Sequence, residues 1–354
     1  MLRPTLYALG FASLLSPLSG VVPGELATTY STDRELTLTL TYESSLETVS
    51  SSFEVDGEPV EGRGGAGGGG GSSEERRMVI RDRVLSVEDG VPTKVRRTFD
   101  KMSGSSSAAF GDQEMESELE SPFDGITLEL TGEDGEVEIE VVDGDAPAEE
   151  HLVGQVLGLT IDALLPESDA EEGDTWTIEG DALAHALMID LQSHYFARPE
   201  RDAEERGGGG RRGPRGGGGR TGGGVIGLLS GADLTGDAEL VAAEEDGDDG
   251  PVARVRFTAE ASGEVEQQAQ GGGDRGGRGG GGEGETTYTV ELEGELVFSL
   301  KDHRPVSLEV EAKVTRISDR TFDRGERSMR STREEEGTLE ISLEVSSEAV
   351  SEDD

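Results

Sequence analysis

Residues 288–300 read Tyr288-Thr289-Val290-Glu291-Leu292-Glu293-Gly294-Glu295-Leu296-Val297-Phe298-Ser299-Leu300. Apolar side chains return at every second position, interrupted only by Gly294. Successive side chains of an extended chain point to opposite faces, so this period of two predicts a strand with one apolar and one acidic face. Lys301-Asp302-His303-Arg304-Pro305 turns the chain, and Val306, Leu308, Val310, Ala312 and Val314 bring the alternation back. Leu36, Leu38, Leu40 and Tyr42 alternate with Glu35, Thr37, Thr39 and Thr41, and Leu339, Ile341, Leu343 and Val345 make a last strand. Ile126, Leu128 and Leu130, the turn Gly132-Glu133-Asp134-Gly135, and Val137, Ile139 and Val141 read as a β-hairpin. Sheets with one apolar face are typically antiparallel.

Two segments break this rhythm. In 145–165, Val153, Leu157, Ile161 and Leu164 recur at helical spacing, with Asp145 placed to cap the start and Pro166 to stop the helix. In 181–197, Leu183, Leu187, Leu191 and Tyr195 repeat every four residues, again before a proline, Pro199. Between them Gly173-Asp174-Thr175-Trp176-Thr177-Ile178 reads as a turn entering a short strand, with the single tryptophan anchoring helix on sheet. The expected fold class is α+β, mainly antiparallel β: curved one-sided sheets, a central two-helix segment and disordered glycine-rich loops. The pattern leaves open whether the β regions form one sheet or two domains.

The 354 residues carry a formal net charge of −45 and no cysteine. Disulfide frameworks, thiolate metal sites and cysteine nucleophiles are thereby excluded, and the charge weighs against nucleic-acid binding. Of 54 glycines, 30 fall in three tracts, Gly62–Gly71, Gly207–Gly224 and Gly271–Gly284, which also hold seven arginines. An acidic body is thus interrupted by small cationic inserts. These resemble Arg-Gly boxes that bind RNA, but no aromatic residue lies within them to stack on a base, so they read as spacer loops. Asparagine is absent and lysine occurs four times against 27 arginines. A GC-rich genome or salt adaptation accounts for that bias equally well.

The N-terminus has Arg3, an apolar run over Leu6–Val22 broken by Pro17, and small residues before Glu25. That is the layout of a secretory signal peptide cleaved after Gly24, with a site after Gly20 as the rival. The expected organisation is a signal peptide over 1–24, an N-terminal β lobe over 25–145, a helical segment over 146–199, a Gly/Arg-rich disordered linker over 200–232 and a C-terminal β lobe over 233–354. No later stretch is long and apolar enough to span a membrane as a helix.

Catalytic patterns are missing. His185 and His194 stand nine residues apart on one expected helix, which places them on opposite faces. His185 and Asp181 could face one way, but two ligands make no site. His151 and His303 have no converging partners. Asp246-Gly247-Asp248-Asp249-Gly250 and Asp143-Gly144-Asp145 lack the ligand spacing of a calcium loop. Gly227-Leu228-Leu229-Ser230-Gly231 has the wrong spacing for a nucleophile elbow, and no phosphate-binding loop occurs. No catalytic, cofactor-binding or metal-ligating residue is assigned, and no cofactor is expected.

The chain resembles a type of exported, β-rich bacterial protein without an established activity. The resemblance rests on Val87-Glu88-Asp89-Gly90-Val91-Pro92 leading to Arg96-Arg97-Thr98-Phe99, and on Phe123-Asp124-Gly125-Ile126 leading to Asp134-Gly135. It rests also on Leu165-Pro166 followed by Gly173-Asp174-Thr175-Trp176, and on the strand-turn-strand from Gly294 to Val310. It implies a secreted β-rich body and transfers no functional residue.

Three function classes remain. A surface or interaction module, the leading one, expects a filled core and acidic faces that bind divalent cations weakly, or an envelope polymer or lipid. A periplasmic carrier of an apolar, lipid-like ligand expects apolar surface inside the curve that the helices leave uncovered, near Trp176, Phe298 or Tyr288. A hydrolase expects three or more polar side chains converging in one pocket.

Overall fold

The computed structural model describes residues 26–60, 70–110, 113–133, 136–167, 169–196, 224–230, 232–247, 250–267, 282–324 and 327–350. The expected leader over 1–24 lies outside these residues, as do 62–69, 207–223 and 271–281 of the glycine tracts.

Among the described residues there are thirteen strands, the long ones following the alternation. They are β1 (Arg34–Val55), β2 (Glu58–Pro59), β3 (Gly71–Glu88), β4 (Val91–Phe110), β5 (Gln113–Leu119), β6 (Thr127–Glu133), β7 (Glu136–Asp143), β8 (Thr175–Ile178), β9 (Thr235–Gly247), β10 (Gly250–Gln267), β11 (Gly282–Ser299), β12 (Arg304–Arg324) and β13 (Arg327–Ala349). All belong to one open, curved, antiparallel sheet in the order β7-β6-β4-β3-β1-β13-β12-β11-β10-β9-β8, with β2 on β1 and β5 on β4. The N-terminal and C-terminal β regions therefore share a single sheet. They join at its centre, where Leu38 faces Val345, Leu40 faces Leu343 and Tyr42 faces Ile341. A tight hairpin connects β3 to β4. Asp89 and Gly90 both take positive φ between β3 and β4, the backbone a two-residue primed turn requires.

The inner face of the sheet carries the apolar row of each strand, and the remaining elements lie against it. Leu40, Met78, Phe99, Leu128, Val290, Val310 and Ile341 are all buried in one core with α1 (Gly180–Ala186), α2 (Gln192–Tyr195) and α3 (Val225–Leu229). Burying each such side chain contributes about 1.5–3 kcal/mol. Two aromatic rings fold over glycines on the facing strand: Phe257 over Gly294 and Tyr288 over Gly263. A Cβ on Gly294 would lie 2.4 Å from the Phe257 ring, so the break in the apolar row of β11 is the slot that ring fills. Trp176 on β8 donates from Nε1 to the Leu164 carbonyl at 3.1 Å, tying the sheet edge to the covering layer.

The covering layer is less helical than the spacing predicts. The helix expected over 145–165 is two 3-10 turns, Glu149–His151 and Thr160–Leu164. Gly154 between them takes φ +84°, a left-handed conformation that ends a helix. Ala148, not Asp145, takes the first cap position, and its side chain makes no cap bond. Val153, expected on the apolar face, is 60% exposed, whereas Ile161 and Leu164 are buried. The second expected helix splits into α1 and α2 around Met188, at φ +52°. Side chains stabilise the split. Tyr42 donates its hydroxyl to the Leu187 carbonyl at 2.6 Å, and Gln192 donates to the Met188 carbonyl at 3.3 Å. Carbonyls released from the helical ladder thus keep partners.

Two further expectations are corrected. The linker drawn over 200–232 ends in α3, where Val225, Ile226 and Leu229 are buried. Gly337 of β13 makes the room: a Cβ there would meet the Ser45 carbonyl at 2.5 Å and Val225 at 3.0 Å. Gly282 and Gly284, counted within the third glycine tract, belong to β11.

Candidate functional site

Four polar side chains do converge inside the molecule. Asp82 on β3 and Arg97 on β4 leave the outer polar set and point into the core, 3% and 5% exposed. Arg97 donates from Nε and Nη2 to the two Asp82 oxygens at 2.8 and 2.6 Å, and from Nη1 to Gln155 Oε1 at 3.1 Å. Gln155 Nε2 donates to the Tyr195 hydroxyl at 3.1 Å. Burial alone would depress the Arg97 guanidinium, but the Asp82 charge and hydrogen bonds overcome it and hold the group above its ordinary range. Burial likewise pushes the Tyr195 phenol up. Each donor of the guanidinium fork that bonds here is spent on a protein acceptor, and the ring edges of Phe99 and Phe123 pack on Tyr195. The cluster holds the 152–158 loop and α2 on the sheet. All four side chains are 5% exposed or less, so the convergence forms a buried tether.

A second tether sits beside it. Asp162, in the second 3-10 turn, accepts from Thr28 Oγ1 at 2.5 Å and from the Tyr30 hydroxyl, and Tyr30 Oη accepts the Leu159 N–H at 2.8 Å. Burial raises both the Asp162 carboxyl and the Tyr30 phenol above their usual ranges.

The histidines do not assemble. His185 Nδ1 pairs with Asp190 at 3.0 Å, not with Asp181, and His194 Nδ1 bonds the Glu150 carbonyl at 2.9 Å. His303 occupies a turn at φ +47° and its carbonyl accepts the Thr29 N–H. Among the described residues no group of three His, Asp or Glu side chains is arranged to hold a metal ion. Asp143 closes β7 and Gly144 takes φ +91° after it; Asp248 and Asp249 lie outside the described residues.

The outer face of the sheet is where chemistry is left uncommitted. Some of its acids are held by cations. Arg81 reaches Asp100 at 2.7 Å and Glu35 at 3.3 Å; Lys94 and Arg96 hold Glu129; Arg254 holds Glu295 at 2.9 Å. The hydrogen bonds from Lys94 and Arg96 hold the Glu129 carboxyl below its usual range. Others stand opposite acids, and across the middle these form a continuous row. Glu293 faces Glu311, Glu311 faces Glu340, Glu340 faces Glu43 and Glu43 faces Glu75, one residue from each of five neighbouring strands. All five are exposed, and among the described residues none makes an ion pair. Directly opposed like charges destabilise a sheet. An open trough of about 390 Å³ lies over the Glu293–Glu311–Glu340 end of this row, bordered also by Glu260 and Glu291, with Lys313 as the cation of its lining. A second, of about 700 Å³, continues over Asp233, Asp237, Glu260 and Glu291. Sequence reasoning saw acidic outer faces but could not see this row, because the register of five strands creates it.

No protein-family model and no curated protein matches the chain. Among solved structures it is similar to one of lipid–protein interactions in lipovitellin, at 7% identity and a TM-score of 0.34, over 92% of this chain and 26% of that one. It is similar to OccK7 (OpdD) of Pseudomonas aeruginosa at 7% identity and a TM-score of 0.20, over 90% and 100%. The outer membrane protein opdK of Pseudomonas aeruginosa follows at 6% identity and a TM-score of 0.13, over 89% and 99%. The chain spans about a quarter of the lipovitellin chain it matches. Likenesses this slight transfer no function. No helix among the described residues is long and apolar enough to cross a membrane.

Proposed function

We propose that this chain is an exported, non-enzymatic interaction module that presents the outer face of its sheet to cationic partners. Its leader spans 1–24 and is removed after Gly24. The observation that carries the reading is the row Glu75–Glu43–Glu340–Glu311–Glu293, in which glutamates of five neighbouring strands stand opposite one another and, among the described residues, make no ion pair. Repulsion along such a row is relieved when a cationic polymer, protein surface or divalent cation lies over it. The burial of the three aromatic residues expected at an apolar cavity supports the same reading: Trp176 is half-buried against the core, Tyr288 is 8% exposed and Phe298 is fully buried. Carriage of an apolar ligand would require the covering layer to lift.

The test is titration of the mature chain with poly-arginine and, separately, with calcium, beside a Glu43→Gln/Glu311→Gln/Glu340→Gln variant. Binding of the polycation that weakens steeply with salt and drops about tenfold in the variant is expected. Equal binding by the two proteins overturns the reading, as does a stoichiometric apolar mass that survives on the native protein.

A further inference from the structure

The sheet has an unfinished edge. β7 ends the strand order, and among the described residues no strand lies on its far side. Its neighbour β6 buries Leu128 and Leu130 completely, whereas the matching inner row of β7, Val137, Ile139 and Val141, stays only partly buried against the core. On the outer side Glu136, Glu138 and Glu140 are exposed and, among the described residues, make no ion pair. The charge across this end of the sheet is ordered. Lys94 and Arg96 on β4 neutralise Glu129 on β6, and Glu140 stands opposite Glu129 with no cation beyond it.

We propose that the β7 edge receives an extended basic segment of a partner protein as an added strand. This deepens the reading above and rests on it, because the partner is again cationic. The backbone of β7 offers the main-chain hydrogen bonds that strand addition uses. An alternating partner places Lys or Arg against Glu136, Glu138 and Glu140, and apolar residues beside Val137, Ile139 and Val141. A second copy of this chain fits less well. Registers that keep the apolar rows on one face set glutamates of the two β7 strands against each other, where Glu140 already stands against Glu129 and Glu136 against Glu133, and a further opposed row adds to that repulsion. A basic strand relieves it.

The experiment uses the full mature chain and a short synthetic peptide alternating Lys with Val, beside a scrambled peptide of the same composition. Binding is read by fluorescence anisotropy and its place by amide hydrogen exchange. The alternating peptide is expected to slow exchange across 136–143 and to bind about tenfold more tightly than the scrambled one. A Glu138→Lys/Glu140→Lys variant, with its fold checked by Trp176 fluorescence, should lose that preference and select a peptide alternating Glu with Val. Equal binding of the two peptides, or no protection at β7, overturns the proposal. If poly-arginine still binds through the Glu43 row, the edge falls and the module reading stands; if it does not, both fall.

Discussion

Replacing Arg97 with methionine strips a buried carboxylate of the one cation that pairs with it among the described residues. Asp82 is 3% exposed and takes two charge-assisted bonds from Arg97, at 2.8 and 2.6 Å, while Gln155 takes the third. Breaking a buried pair by removing one partner costs about 3–5 kcal/mol, because the remaining charge stays in the core without compensation. The orphaned Gln155 oxygen adds about 1 kcal/mol. The single tryptophan, Trp176 on β8, provides a fluorescence probe for urea unfolding. Arg97→Met should lower the midpoint with the slope unchanged. The paired Asp82→Leu/Arg97→Met variant should recover most of the loss, since a well-packed apolar pair often equals a buried ion pair. A single variant that costs under about 1 kcal/mol, or a double variant as unstable as the single, would refute the account of this cluster as the tether of the covering layer.

Other outcomes follow from the same geometry. Tyr30→Phe removes one of two hydroxyl donors to Asp162 and the acceptor of the Leu159 N–H; a loss of about 1.5–3 kcal/mol at pH 7 is expected in chemical unfolding. Because burial raises Asp162 in the folded state, that loss should diminish as pH falls through its raised pKa and the carboxyl becomes neutral. Glu43→Gln with Glu311→Gln interrupts every opposed pair in the outer row. It should stabilise the chain by about 1–2 kcal/mol at low ionic strength, with the gain fading in thermal melts at high salt. Gly294→Ala drives a methyl into the Phe257 ring and within 2.9 Å of the Glu309 carbonyl; a cost of about 1–3 kcal/mol is expected, and Phe257→Leu in the same chain should return part of it.

The strands were legible because alternation is local. Leu292 and Glu293 declare their faces from their neighbours alone, and β11, β12 and the β6–β7 hairpin lie where that alternation puts them. The covering layer was not, because its apolar residues answer to the sheet. Val153 and Leu157 share helical spacing with Ile161, yet Gly154 sends the chain through a left-handed turn and leaves Val153 in solvent. α3 was hidden in a linker because its five residues are too few to show a period. The buried ion pair could not be read from Asp82 and Arg97, since each sits on an inner-face position that alternation marks but charge contradicts. The glutamate row is likewise a property of register, and register across β1 and β13 is set by residues about three hundred positions apart.

That central ladder orders events in time. The first long strand finds its neighbour in the middle of the sheet only when the last one exists, and loops of this length close slowly. A chain emerging from its N-terminus therefore holds β1 half-paired, with β3 on one side and nothing on the other, until β13 arrives. The seam at the centre of the sheet is consequently the contact that waits for β13, and truncation within β13 would leave the two halves of the sheet without it.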